Sequence, residues 1–208
     1  MSENLSIDEI IKRAEKIKAE ADSQLEAASK TLDEKAKNAI DEVTVDDILK
    51  IAEERGEPPF VIICDEIEDS HNLGAIIRTA EACGAHGIII PKRRNVGLNF
   101  IVAKTSCGAL EYMPVARVTN LASTIDDLKK KNIWVYAADM DGQRWDKTDF
   151  SGGAALVVGS EGNGVGRLIK EKCDVTVSLP MLGKVNSLNA SVAAGIIMYE
   201  IARQRLDK

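Results

Sequence analysis

Ala155-Leu156-Val157-Val158-Gly159-Ser160-Glu161-Gly162-Asn163-Gly164-Val165-Gly166 is the stretch on which the reading of this chain turns. Its four leading apolar residues read as a buried strand, and Val165–Cys173 reads as the helix that follows. In an open α/β sheet such a strand-to-helix junction is where ligands bind. The glycines at 159, 162, 164 and 166 let the backbone turn sharply or come close to a ligand. No Gly-Lys-Ser/Thr follows, so this is not a Walker loop, and its place after a late strand does not fit the dinucleotide fingerprint. A plain tight loop is the alternative account of the glycines. Glu161 is the residue such a loop does not require. A carboxylate there bonds something specific or pairs with an Arg.

Two further junctions have the same character. His71-Asn72-Leu73-Gly74, running on to Arg78, follows the apolar run Val61–Cys64, and Asn186-Ser187-Leu188-Asn189-Ala190-Ser191 opens the last helical pattern. Each residue also has an ordinary reading. Asn72 can cap its helix, Arg78 can pair on the surface, and Ser187 or Asn186 can cap the last helix. Between these junctions strands alternate with helices. Strands are expected at Val61–Cys64, Gly87–Ile90 (ended by Pro91), Val115–Val118, Trp134–Ala138, Ala155–Val158 and Val175–Leu179. Helices are expected at Thr44 to Gly56, Leu73–Cys83, Phe100–Cys107, Leu121–Lys131, Val165–Cys173 and Leu188–Arg205. The alternation predicts an α/β fold, a parallel sheet with helices on both faces.

Residues 1–43 differ from the rest. Apolar positions from Ile7 to Ala39 recur at helical spacing, and Ser6 with Glu9 and Thr31 with Glu34 form capping boxes. This predicts a helical leader, one long helix or a hairpin, ahead of a domain at 44–208. Residues 1–42 carry 11 acidic and 7 basic side chains, against 22 and 20 in the remainder. The net charge of −6 therefore sits mostly in the leader, and the main part can still present a basic patch to a phosphate backbone. The apolar runs are too short to span a membrane, and the charged start lacks a signal-peptide pattern, so the cytoplasm is the expected location. Cys64, Cys83, Cys107 and Cys173 are scattered and read as reduced thiols, three of them buried. With two histidines in the chain, a metal centre is not expected.

In order and spacing the three junctions resemble the three motifs of the SpoU/TrmH-type RNA ribose 2′-O-methyltransferases, the trefoil-knotted SPOUT class. The likeness covers roughly residues 44–206. Thr105-Ser106-Cys107-Gly108-Ala109-Leu110-Glu111-Tyr112-Met113-Pro114-Val115-Ala116-Arg117-Val118-Thr119-Asn120-Leu121 resembles the branch that methylates a guanosine ribose of bacterial large-subunit (23S) rRNA. A tRNA ribose methyltransferase, or a catalytically silent scaffold of the same fold, is the alternative.

The resemblance implies a C-terminal trefoil knot and S-adenosylmethionine as methyl donor. It assigns Gly159, Leu179, Met181 and Leu188 to the cofactor pocket, and Arg78, Asn72, Glu161, Ser187 and Asn189 to the polar catalytic set. It gives Arg78 the activation of the ribose hydroxyl. An Arg keeps its proton far above neutral pH, which makes holding a phosphate and stabilising alkoxide charge an equal alternative. It further implies a homodimer, for which the small-residue face Ala190, Ala193, Ala194 and Met198 of the last helix is the expected contact. No metal is implied. Members of that branch usually begin with an RNA-binding domain that 1–43 does not resemble. The main domain is then expected to dock RNA itself, through Lys92, Arg93, Arg94, Lys104 and Lys184.

Overall fold

A computed structural model describes residues 11–24, 26–27 and 43–206 of the chain. Residues 11–24 form a solvent-exposed helix, α1, and residues 26–27 are helical too. The two leader capping boxes lie outside the described residues. The remaining helices are α2 (Val45–Arg55), α3 (Ser70–Ala82), α4 (Phe100–Thr105), α5 (Leu121–Lys130), α6 (Arg167–Lys172) and α7 (Ala190–Leu206). The strands are β1 (Phe60–Cys64), β2 (Gly87–Pro91), β3 (Val115–Val118), β4 (Ile133–Arg144), β5 (Gly153–Val158) and β6 (Val175–Ser178). Among the described residues no helix is long and apolar enough to cross a membrane.

All six strands pair in parallel, in the order β3-β2-β1-β5-β4-β6. Side chains alternate across the sheet, and each strand therefore feeds two cores. Phe60, Ile62 and Cys64 of β1 join Leu156 and Val158 of β5 beneath α3, α4 and α7. Val61 and Ile63 join Ala155 and Val157 beneath α2, α5 and α6. The expected parallel sheet covered on both faces is what the chain forms.

Several boundaries differ from expectation for identifiable reasons. Asp69 caps α3 through the His71 N–H, so the helix starts at Ser70 and Asn72 lies inside it, free to point elsewhere. Asn189 caps α7, with its Oδ1 accepting from the backbone N–H of Ser191 and Val192, in place of Asn186 or Ser187. Pro91 is the last residue of β2, a strand position where a missing N–H costs little. β4 runs past Ala138 because the chain bulges, so that Ala138 and Gln143 both oppose Val177. Of the thiols, Cys64 alone is fully buried and is pushed up to about 12 by desolvation. Cys83 and Cys173 are half-buried, and Cys107 is exposed.

The small-residue face of α7 packs inward. Ala190, Ala194 and Met198 are buried in the α3 core, and Gly195 faces Thr79 of α3. Ala193 is half-buried; the other three residues of this face are spent on the protein's own core, so the face is not open as a dimer contact. The solvent face of α7 carries Val192, Ile196 and Tyr199 instead.

Two positions generate tests of this packing. A Cβ on Gly74 would lie 2.6 Å from Thr105 Cβ and 2.9 Å from the Val102 carbonyl oxygen, so α3 and α4 touch backbone to backbone there. Gly74→Ala is expected to cost about 1–3 kcal/mol of stability by prying these helices apart. Gly97→Ala, in open space, is expected to stay within about 0.5 kcal/mol. Urea unfolding of both variants measures the contrast.

His86 is buried, its Nδ1 accepts the Phe60 N–H at 2.9 Å, and Nε2 meets Glu57 at 3.1 Å. Burial holds its pKa below the ordinary 6.5, against the opposing pull of Glu57. The unfolded chain thus takes up this proton at higher pH than the fold does. Stability present above pH 6.5 is lost as pH falls below it. The urea midpoint should fall between pH 7 and pH 5.5 in the wild type and change less in His86→Gln.

Candidate active site

Parallel strands send all their carboxyl ends to one edge, and three loops meet there. Residues 65–69 follow β1, 159–166 follow β5, and 179–189 follow β6. The β5 loop is pinched shut by two backbone bonds, Ser160 N–H to Gly164 O at 3.0 Å and Gly164 N–H to Ser160 O at 2.9 Å. Glu161, Gly162 and Asn163 are thereby pushed out at its tip. A side chain on Gly159 would run into the backbone of Gly164 and Val165. Gly159 is therefore demanded by the loop's own fold, a reason independent of any ligand. Gly164 turns with φ +63°, the left-handed region that favours glycine.

Glu161 is held by two asparagines from the other two junctions. Asn72 Nδ2 donates to Glu161 Oε1 at 2.7 Å, Asn189 Nδ2 donates to the same oxygen at 2.6 Å, and Asn189 Nδ2 also reaches Asn72 Oδ1 at 2.9 Å. The triangle is closed. Because Asn189 Oδ1 is committed to capping α7, its amide can only point its N–H groups at Asn72 and Glu161. That fixes Asn72 in turn, whose Oδ1 accepts and whose Nδ2 donates.

Beside the triangle lies a cavity of about 630 Å³ over the ends of β4, β5 and β6. Gly159, Leu179, Met181 and Leu188 line it, as do Glu161 and Ser187. Four residues expected at a cofactor pocket thus share one wall. Arg78 stands apart from the triangle. It is exposed on α3 and its Nη1 donates to Cys107 Sγ at 3.3 Å. Lys92, Arg93, Arg94, Lys104 and Lys184 are all exposed, but on different elements, and Arg94 is drawn to Glu66 at 3.3 Å.

Two acids of this edge were not foreseen. Asp65, buried at the end of β1, accepts the Gly166 N–H at 2.8 Å and so ties the β1 and β5 loops together. Burial raises its pKa, and that one N–H offsets the shift only in part. Asp139 lines the cavity from the β4 bulge and pairs with Lys170 at 2.8 Å. Burial pushes its pKa up, but the bonds from Lys170 and the Met140 N–H outweigh this and hold the carboxyl below its ordinary value. An acid directly after an apolar run was the available signal for Asp65. Asp139 had none, since the bulge that presents it depends on how β4 pairs.

This part of the chain is similar to known proteins. Residues 59–199, from β1 into α7, match the SpoU rRNA Methylase family. The chain is 60% identical over 163 residues to YacO of Bacillus subtilis, assigned to the TrmH family of tRNA/rRNA methyltransferases, covering 77% of this chain and 65% of that one. A Staphylococcus haemolyticus protein with the same assignment is 54% identical over 150 residues, 70% of this chain and 59% of that one. The match thus spans less than two thirds of either relative. Among solved structures, the SpoU methyltransferase AviRb of Streptomyces viridochromogenes, in complex with AdoMet, superposes with a TM-score of 0.68 at 31% identity. It covers 73% of this chain and 63% of that chain. The A. aeolicus TrmH/SpoU tRNA modifying enzyme follows at 0.64 and 27%, over 72% of this chain and 76% of that one. With the match running through the sheet, the glycine loop and the residues that meet on it, the chain belongs to the SpoU rRNA methylase family.

Proposed function

We propose that this protein transfers a methyl group from S-adenosylmethionine to a ribose 2′-hydroxyl of RNA, with a guanosine of large-subunit rRNA as the target. The observation that carries the reading is the Asn72–Glu161–Asn189 triangle standing at the wall of the cavity. A buried asparagine bonded to a carboxylate on a glycine loop is more than a loop needs for its own stability. The cavity has the size of a small-molecule site. Leu179, Met181, Leu188, Val158 and Ile197 offer apolar contact to an adenine, and the β5 loop offers backbone groups. The names of the relatives and the AdoMet complex of AviRb support the same reading.

When bound, the cofactor supplies an electrophilic methyl group. The protein's part is to hold the two reactants in line and exclude water from between them. The triangle keeps the β5 loop and the start of α7 in one fixed relation, and Ser187 lines the same wall. Arg78 holds an RNA phosphate and stabilises the alkoxide charge that develops on the hydroxyl. Lys92, Arg93, Arg94, Lys104 and Lys184 are the proposed docking cations.

Three further parts belong to this reading. Residues 44–208 are the catalytic domain and 1–43 a helical leader, and the C-terminal segment forms the trefoil knot. Two copies pair through the exposed α7 face of Val192, Ile196 and Tyr199, which a C2 contact would cover with its own image. The enzyme works in the cytoplasm.

Calorimetry with S-adenosylmethionine and methyl transfer to large-subunit rRNA and tRNA transcripts test the proposal together. Micromolar binding, about −8 kcal/mol, is expected. Arg78→Ala should retain that affinity and lose transfer by about 100-fold or more. Arg78→Lys should rescue little, because a point charge cannot replace a planar fork. Binding without transfer to either RNA would identify a silent scaffold, and transfer to tRNA alone would move the target class.

Glu161→Ala is the test of the triangle. It removes the one oxygen to which both Asn72 and Asn189 donate and leaves the buried Asn72 donor without that acceptor, at a cost of about 1–3 kcal/mol. Transfer should fall about 10-fold or more in single-turnover assays, with a smaller change in cofactor affinity. Equal rates in the two proteins would remove the triangle from the mechanism.

A further inference from the structure

Cys107 is the one exposed thiol among the four cysteines, and it occupies an unusual backbone position. Its φ is +51°, in the left-handed region, and Gly108 after it has φ +90°. Two successive left-handed residues make a tight turn between α4 and the single helical turn Ala109–Glu111. That turn is tied down on both sides. Ser106 is fully buried and its hydroxyl donates to the Ala103 carbonyl at 2.9 Å. Cys107 N–H donates to Lys104 O at 3.2 Å, and Ala109 N–H to Ser106 O at 3.0 Å. A non-glycine residue kept in this region costs energy that the surrounding bonds must offset.

The turn is also fixed relative to α3. Gly74 presses its backbone against Val102 and Thr105 of α4, leaving no room for a side chain. Arg78 lies one helical turn beyond Gly74 and therefore on the same face of α3. Cys107 lies two residues beyond Thr105. The helix contact thus brings the guanidinium and the sulfur together, with Nη1 3.3 Å from Sγ. An arginine is long and has many rotamers, and an exposed one is ordinarily spread among them. Sulfur is a weak acceptor. What it offers here is an anchor at a fixed point, and among the described residues the remaining guanidinium N–H groups are left for an anionic oxygen.

We infer that Cys107 is a positioning residue for Arg78, holding the guanidinium in the orientation from which it meets the RNA backbone and the reacting hydroxyl. The inference rests on the function proposed above. It predicts that Cys107 acts on transfer only through Arg78, leaving the cofactor cavity untouched.

The test is a double-mutant cycle on the full chain, read as single-turnover methyl transfer to large-subunit rRNA and tRNA transcripts. Cys107→Ala should lower the rate constant about tenfold, the low end for a hydrogen bond to a charged group. S-adenosylmethionine affinity and melting temperature should be unchanged. Cys107→Ser keeps an acceptor at this point and should recover part of the rate, while the unchanged melting temperature of Cys107→Ala separates positioning from a structural role. In an Arg78→Lys background, Cys107→Ala should produce no further loss. A wild-type rate in Cys107→Ala, or a full tenfold loss added to that of Arg78→Lys, would overturn the positioning role while leaving the proposed function intact. Absence of transfer by the wild type to either RNA would overturn the proposed function and this inference together.

Discussion

The site depends on one shared carboxylate oxygen. Glu161 Oε1 accepts from Asn72, 89 residues before it, and from Asn189, 28 residues after it. A charged acceptor shared by two amide donors makes bonds stronger than neutral ones. Asn72 is buried, so losing the carboxylate would strand a donor away from water. This single atom joins α3 to the β5 loop and the start of α7, and the last two line the cavity. Its position requires the β5 loop to project its tip, and that requires the pinch between Ser160 and Gly164.

Around that atom, each glycine or cap has a local duty with a consequence at the site. Gly159 lets the loop close on itself. Asn189 caps α7 and, by spending its oxygen there, sets which way its amide faces. Asp65 holds Gly166 and so fixes where the β5 loop hands over to α6. Gly74 lets α4 lie against α3 and brings Cys107 to Arg78. The candidate site and the fold therefore lean on the same residues, and substitutions here will disturb both. That is why the proposed tests compare rate with affinity and stability.

The surface divides by chemistry. The carboxyl edge of the sheet carries polar side chains and a cavity with an apolar wall. The α7 face exposes Val192, Ile196 and Tyr199 where a solvated helix would carry charge. An apolar stripe of that kind is the surface on which the proposed self-complementary contact rests. The inward face, where small residues suggested such a contact, is already taken by α3. Small residues mark close helix packing without saying whose helix is packed.

The sequence by itself determined the alternation of strands and helices, the parallel sheet with two covered faces, and the three junctions that carry polar residues. Those follow from apolar periodicity and from capping residues, both of which are local. Most element ends came within two residues, because Gly, Asp and Asn mark them. Tertiary structure alone decided the strand order that puts β5 between β1 and β4, and with it the meeting of Asn72, Glu161 and Asn189. It also decided the β4 bulge that brings Asp139 to the cavity, and the pairing of Arg78 with Cys107. These depend on contacts between residues far apart in the chain. No local pattern of hydropathy records which junctions will be neighbours, or which of two faces of a helix its own domain will bury.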